Sequence, residues 1–277
     1  MKIKKVWAVY FSATGTTKKI VTKIASTMAE KMNAEFKIFD FTLLSARKDI
    51  LSFEKDDCVV LGTPVYAGRV PNLLLKYLAA IQGNGALAVP IVLFGNRNYD
   101  DALIELRDIL EKNNFHTVGA GAFVGEHSFS NILAKNRPDE KDILIAENLG
   151  EKVFEKLSDS AFYPDSPIEV TGVPYPYRGY YQPLNKENNP IDMRKVKPLT
   201  NNNCTDCKIC VSACPLGSIE YDDVSKVTGI CMKCGACIKK CPVHAKYYTD
   251  ESFLFHKHDL EEKFTRRAEP EIFINMI

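Results

Sequence analysis

Along the first 160 or so residues, short apolar runs alternate with stretches in which apolar positions recur every three or four residues. Lys5–Phe11, Ala34–Phe39, Cys58–Thr63, Val89–Phe94 and Thr117–Val124 are rich in Val, Ile, Phe or Ala and predict five strands. Thr17–Lys31, Asn72–Ile81, Asp101–Lys112 and Asp142–Leu157 carry the helical spacing. Strands and helices that alternate in this way predict an α/β fold, a parallel sheet wound with helices, over residues 1–160. The texture then changes, because seven of the 14 prolines and Tyr175, Tyr177, Tyr180 and Tyr181 fall within residues 161–198. That composition predicts a long extended linker, whose tyrosines stack over a ligand or between domains, or simply pack the linker itself. Residues 199–250 hold eight of the nine cysteines and predict a second, small domain. Residues 251–277 predict a tail that packs on the domains, with a mixed-charge helical stretch around Asp259–Arg267.

Composition narrows the classes. With 36 Lys and Arg against 35 Asp and Glu, the chain has no polybasic footprint for nucleic acid or anionic lipid. The longest apolar candidate for a membrane span, Ala86–Phe94, is short and contains Pro90. The basic start, Met1–Lys5, leads into an apolar run that breaks at Ser12, too soon for a signal peptide. The expectation is a cytoplasmic protein.

The cysteines carry the strongest signal. Cys204, Cys207, Cys210 and Cys214, followed by Pro215, recur 27 residues later as Cys231, Cys234, Cys237 and Cys241, followed by Pro242. Three cysteines separated by two-residue gaps strain around one tetrahedral zinc but wrap round three corners of a cubane iron–sulfur cluster. Structural zinc and a disulfide framework are the alternatives. Zinc usually takes cysteines in separated pairs, and a disulfide framework suits a secreted chain. Cys58, opening the third strand, reads as a small buried hydrophobe.

A second feature stands where the first strand meets the first helix. Ser12-Ala13-Thr14-Gly15-Thr16-Thr17 is a hydroxyl-rich turn without a lysine, suited to a phosphate at a helix N-terminus, although one Ser or Thr there also serves as an ordinary cap. Thr63-Pro64-Val65-Tyr66-Ala67-Gly68 follows the third strand and Gly95-Asn96-Arg97-Asn98-Tyr99-Asp100 the fourth, offering backbone groups and, in Tyr66, a planar wall. Each alone is also an ordinary surface turn. Gly83-Asn84-Gly85-Ala86-Leu87-Ala88 fits a dinucleotide pattern, but it ends a helix and leads into a strand, so its glycines read as a helix stop. His127, just after the fifth strand, is a candidate proton donor, while the other four histidines have a weaker case.

The two cysteine runs resemble the bacterial two-cluster ferredoxins, in which the fourth cysteine of each run ligates the other cluster. The resemblance implies two 4Fe-4S clusters, one on Cys204, Cys207, Cys210 and Cys241 and one on Cys231, Cys234, Cys237 and Cys214, in a ferredoxin-like α+β domain. The Ser12–Thr17 turn resembles the phosphate signature of flavodoxins, S/T-x-T-G-x-T. This resemblance implies a short-chain, flavodoxin-like doubly wound sheet of order 2-1-3-4-5, with FMN on the loops after strands one, three and four. The whole order resembles the flavodoxin–ferredoxin fusion proteins of anaerobic bacteria and archaea, the EFR1 family.

The fusion implies electron transfer, since a flavin exchanges electrons singly or in pairs and a 4Fe-4S cluster one at a time. The favoured role is a carrier or redox adaptor for partner proteins. The alternative is an FMN-dependent reductase, in which the ferredoxin module feeds a flavin that reduces a small-molecule electron acceptor.

Overall fold

The computed structural model describes residues 2–275. The first domain is a parallel sheet built from β1 (Lys5–Tyr10), β2 (Glu35–Asp40), β3 (Asp57–Pro64), β4 (Leu87–Phe94), β5 (His116–Thr117) and β6 (Ala120–Val124). The order is β2-β1-β3-β4-β6, with β5 also paired to β4. β3 and β4 lie at the centre and are almost wholly buried on both faces, which is why they read as continuous apolar runs. β2, at the edge, exposes most of its residues.

One face carries α1 (Thr16–Met32) and α4 (Glu140–Ser158); the other carries α2 (Asn72–Leu78) and α3 (Ala102–Lys112). α1 buries Ile20, Val21, Ile24, Ala25 and Met28, one helical stripe, and ends on Asn33 in the left-handed conformation. Asp139 caps α4 in a reciprocal arrangement with Asp142. Asp142 also takes the guanidinium of Arg137 in a buried pair. Cys58 is fully buried in β3, and burial pushes its thiol up to about 12.

Two expectations need correction. The fifth strand is not continuous: Val118 and Gly119 part β5 from β6, and at Gly119 an added Cβ would lie 2.8 Å from Val153 of α4. The sheet is also not purely parallel. A tail strand, Glu271–Phe273, pairs antiparallel with β6.

The second domain repeats its own backbone. Antiparallel strands Leu199–Thr200 (β7) and Lys246–Tyr247 (β8) tie its ends together. Between them lie two four-residue helices, α5 (Ile209–Ser212) and α6 (Ala236–Lys239), 27 residues apart. Left-handed residues recur at the same interval: Asp206 and Lys233, Lys208 and Gly235, Gly217 and His244. The tail then forms α7 (Glu251–Lys263), capped by the Asp250 carboxylate on the Phe253 N–H, and the tail strand is β9. α7 starts earlier and ends sooner than the helical stretch expected around Asp259–Arg267, because the chain from 264 onward is held by Asn96.

The proline-rich segment is extended, but it is bound along the first domain as a strap. Ile168 is buried and its N–H donates to Thr117. The Tyr177 hydroxyl donates to Asp108 and the Tyr180 hydroxyl to the Val70 carbonyl. Asp101, fully buried at the start of α3, accepts from the Val173 and Arg178 N–H groups and from the Arg178 side chain. Those bonds hold its carboxyl down at about 2. No described helix is long and apolar enough to cross a membrane.

Candidate cofactor sites

The loops after β1, β3, β4 and β6 open at one edge of the sheet, where the chain reverses its direction of winding between β1 and β3. At the first loop, Ala13, Thr14, Thr16 and Thr17 line a small cavity together with Pro64 and Gly125. The hydroxyls of Thr14, Thr16 and Thr17 make no side-chain hydrogen bonds among the described residues, and the N-terminal dipole of the 17-residue α1 begins there. Gly15 adopts φ +94 with open space around it, so it serves the turn rather than a close approach. Ser12 differs from its neighbours: its hydroxyl oxygen accepts from the Lys18 N–H and its own N–H donates to Thr42. It acts as a cap.

The small cavity adjoins a larger one of about 680 Å³, and Val65, Tyr66, Gly95, His127 and Ser128 line both. Ala67, Gly68, Arg97 and Asn98 also border the large cavity. Arg69 fixes the β3 loop by a bidentate pair with buried Glu105, at 2.8 and 2.6 Å. The strap lines the cavity with Tyr180–Pro183 and Pro190–Arg194, the second domain with Cys231–Lys233, and α7 with His256 and Leu260.

Several side chains singled out in the sequence are engaged elsewhere. Asn96 is buried and donates to the Phe264 and Arg266 carbonyls at 2.7 Å each, while its carbonyl accepts from the Ala268 N–H. Tyr99 packs on Phe94 and donates to Glu271 at 2.7 Å. Asp100 pairs with Arg97. Thr63 is fully buried, its hydroxyl without a partner. The β4 loop therefore uses Asn96 and Tyr99 to bind the tail, a demand that local sequence does not display.

His127 is also not the acid suggested by its position. Its Nδ1 accepts from the Phe129 N–H at 3.1 Å, which places the proton of the neutral ring on Nε2. Burial, reinforced by His256, Lys239 and Arg97, lowers its pKa to about 3. The imidazole lies against Gly95, where an added Cβ would come within 2.3 Å of it. His127 is thus a fixed hydrogen-bond donor in the cavity wall.

In the second domain, Cys204, Cys207, Cys210 and Cys241 line one small cavity, and Cys214, Cys231, Cys234 and Cys237 line another. Each set draws three residues from one run and the fourth from the other. Among the described residues no three His, Cys, Asp or Glu side chains converge on a single-ion site. Four cysteines around one cavity, three from one run and one from the other, fit a 4Fe-4S cluster. Burial pushes the Cys234 and Cys237 thiols up to about 12, so only a strongly cationic centre makes thiolates favourable there. The Cys214 and Cys241 sulfurs accept from the N–H groups of Ser218 and Ala245, at 3.3 and 3.2 Å, the same bond in each repeat.

The repeats face different ways. Cys207 of the first is exposed. The second packs on the first domain: Lys239 bonds Glu126 and the Ser130 carbonyl, and Gly235 sits where a Cβ would be 2.6 Å from the Ser128 carbonyl oxygen. The first repeat touches the first domain too, where Arg47 donates to the Pro215 carbonyl. Cys231 and Met232 line both the large cavity and the second cysteine cavity, while Cys234 lines both the latter and the phosphate-loop cavity.

Comparison with known proteins agrees with this division. A flavodoxin domain model matches residues 8–100, and a 4Fe-4S binding domain model matches residues 201–221 and 228–248. The chain is similar to a flavodoxin from the Archaea (16% identity over 56% of this chain and 99% of that one, TM-score 0.40). It is also similar to oxidised Flavodoxin 1 from Bacillus cereus (19% identity, 56% and 100%, TM-score 0.42). No curated protein matches the sequence.

Fold and site together define a flavodoxin domain fused to a ferredoxin-type 4Fe-4S domain. The first domain is an FMN domain and the second an iron–sulfur domain, which makes the chain an FMN and iron–sulfur electron-transfer protein. The hydroxyl-lined helix start, the continuous cavity and the two sets of four sulfurs fit these groups.

Proposed function

We propose that this protein, as a fusion of the EFR1 type, relays electrons between partner redox proteins and FMN through the first-repeat and then the second-repeat cluster. Cys204, Cys207, Cys210 and Cys241 would hold the outer cluster, and Cys231, Cys234, Cys237 and Cys214 the inner one. Ala13–Thr17 would hold the FMN phosphate, and Pro64–Gly68 with Gly95, Arg97 and Asn98 the ring. Bound there, the clusters supply one-electron steps and the flavin both one- and two-electron steps.

The observation that carries this reading is the shared wall: Cys231 and Met232 border the inner cysteine cavity and the large cavity at once, and Cys234 borders the inner cysteine cavity and the phosphate-loop cavity. Tyr66 stands at the same junction, its hydroxyl raised well above the ordinary range by burial and by the neighbouring Cys234 and Cys231. The strap and α7 line one side of the flavin cavity, and Cys207 faces solvent. The exposed Cys207 puts the outer cluster's end of the path within reach of a partner protein.

Replacement of single cysteines tests both order and ligation. Cys241→Ser is expected to remove the outer cluster signal in anaerobic EPR, although Cys241 belongs to the inner run, and to block flavin reduction by an external protein donor. Loss of the inner cluster instead, or unchanged flavin reduction, would refute the proposed path.

A further inference from the structure

The two cysteine repeats place different kinds of side chain at one buried position. Lys246 follows Ala245 in the second repeat, and 27 residues earlier Ile219 follows Ser218 in the first. Ser218 and Ala245 are the residues whose N–H groups donate to Cys214 and Cys241. Ile219 lines the cavity of Cys214, Cys231, Cys234 and Cys237, and Lys246 lines that of Cys204, Cys207, Cys210 and Cys241. Both are buried, 5% and 3% exposed. An apolar side chain thus stands at one cavity and an ammonium at the equivalent place on the other.

Lysine is almost never fully buried unless paired, because a buried ammonium requires a counter-charge. The Lys246 ammonium donates to the Val224 carbonyl, a neutral acceptor, and pairs with no carboxylate among the described residues. Lys208 lines the same cavity, but its ammonium bonds the Asp206 carboxylate at 2.8 Å. Lys233, another buried lysine beside the cysteines, donates to the Cys231 carbonyl and lines the large cavity rather than either cysteine cavity. The charge of Lys246 is felt at Cys210, Cys237 and Cys241, where it opposes the rise that burial imposes on each thiol. Two of these three cysteines belong to the outer set. The group that can balance the ammonium is the content of the cavity, since a 4Fe-4S cluster on four thiolates is net negative and gains a further negative charge on reduction.

We propose that Lys246 is the counter-charge of the outer cluster and raises its reduction potential, a role that Ile219 leaves unfilled at the inner one. This rests on a 4Fe-4S cluster held by Cys204, Cys207, Cys210 and Cys241. Reduction adds negative charge, so a fixed cation in the wall stabilises the reduced form more than the oxidised one. The exposed end of the relay thereby accepts an electron from a weaker donor than four buried thiolates would otherwise allow.

The test is a redox titration of the full chain, carrying FMN and both clusters, followed by EPR. The wave lost or moved in Cys207→Ser marks the outer cluster. Lys246→Gln removes the charge and keeps a donor for the Val224 carbonyl. It is expected to shift the outer cluster at least about 10-fold towards the oxidised form, or about 59 mV to lower potential, and the inner cluster by less. Lys246→Arg keeps the charge and is expected to restore most of the wild-type potential. A Gln variant that holds both clusters and leaves the outer potential unchanged, or moves the inner one more, overturns the proposal, as does an Arg variant that shifts as far as Gln. If Gln loses the outer cluster, its retention in Arg supports the counter-charge, and its loss in Arg as well overturns it. A wild-type chain with iron for only one cluster overturns the cluster assignment itself, and the proposal with it.

Discussion

Gly235 offers the sharpest perturbation of the contact between the two domains. Its counterpart in the first repeat is Lys208, which holds a similar left-handed backbone, φ 62 against φ 72. The conformation therefore tolerates a side chain within this repeat; the neighbour does not. A Cβ at Gly235 would stand 2.6 Å from the Ser128 carbonyl oxygen, about 0.8 Å inside the roughly 3.4 Å of ordinary contact expected from packing distances. Backbone cannot rotate away as a flexible side chain would, so the helix start and the Glu126–Ser130 loop must separate. Overpacking of this kind costs about 1–3 kcal/mol, which weakens docking of the second domain roughly 5- to 150-fold. The Lys239 bonds to Glu126 and Ser130 stretch with it.

Gly235→Ala is expected to leave iron, sulfide and FMN content intact. It should slow flavin reduction through the clusters in anaerobic stopped flow and raise amide exchange across residues 126–130. Lys208→Gly, which alters the same backbone position away from the interface, serves as the control for amide exchange and should leave residues 126–130 unchanged. Unchanged flavin reduction and unchanged exchange in Gly235→Ala would refute the idea that this contact seats the inner cluster against the flavin.

Other consequences follow from single residues. Asn96→Ala removes three hydrogen bonds that hold residues 264–268, at about 0.5–1.5 kcal/mol each; hydrogen exchange should show β9 losing protection before β1 or β3 does. His127 has a folded pKa of about 3 against 6.5 unfolded, so the unfolded chain takes its proton first as pH falls. Its stabilising contribution is complete above pH 6.5 and is lost below it, by at most about 1.4 kcal/mol per pH unit. His127→Phe should therefore flatten the acid limb of the stability profile measured by denaturant titration. Cys58, fully buried with its thiol at about 12, should resist iodoacetamide in the folded protein, as followed by mass spectrometry, and react only on unfolding.

How much of this was legible in the sequence varied with the range of the interaction. The doubly wound sheet follows from local periodicity, because strands buried on both faces, such as β3 and β4, must be apolar throughout. The cysteine runs are legible because eight ligands must fall at fixed spacing whatever surrounds them. The phosphate turn is local too, although only the fold separates Ser12, which caps the helix, from Thr14 and Thr16, which line the cavity. What stayed hidden depends on contacts between distant segments. Asn96 and Tyr99 look like loop chemistry but bind a tail more than 160 residues away. His256 sits on a helix of unremarkable composition, and only the docking of that helix brings it to the cavity. The strap's tyrosines announce a packing role, yet the partner that fixes the strap, Asp101, shows no local sign of it.

The most direct test of the account is a count. The full chain, purified and reconstituted without oxygen, is expected to carry eight irons, eight sulfides and one FMN, with both cluster signals present in EPR and the flavin reduced through them. Four irons, zinc in place of iron, or a chain that takes up no flavin would contradict it.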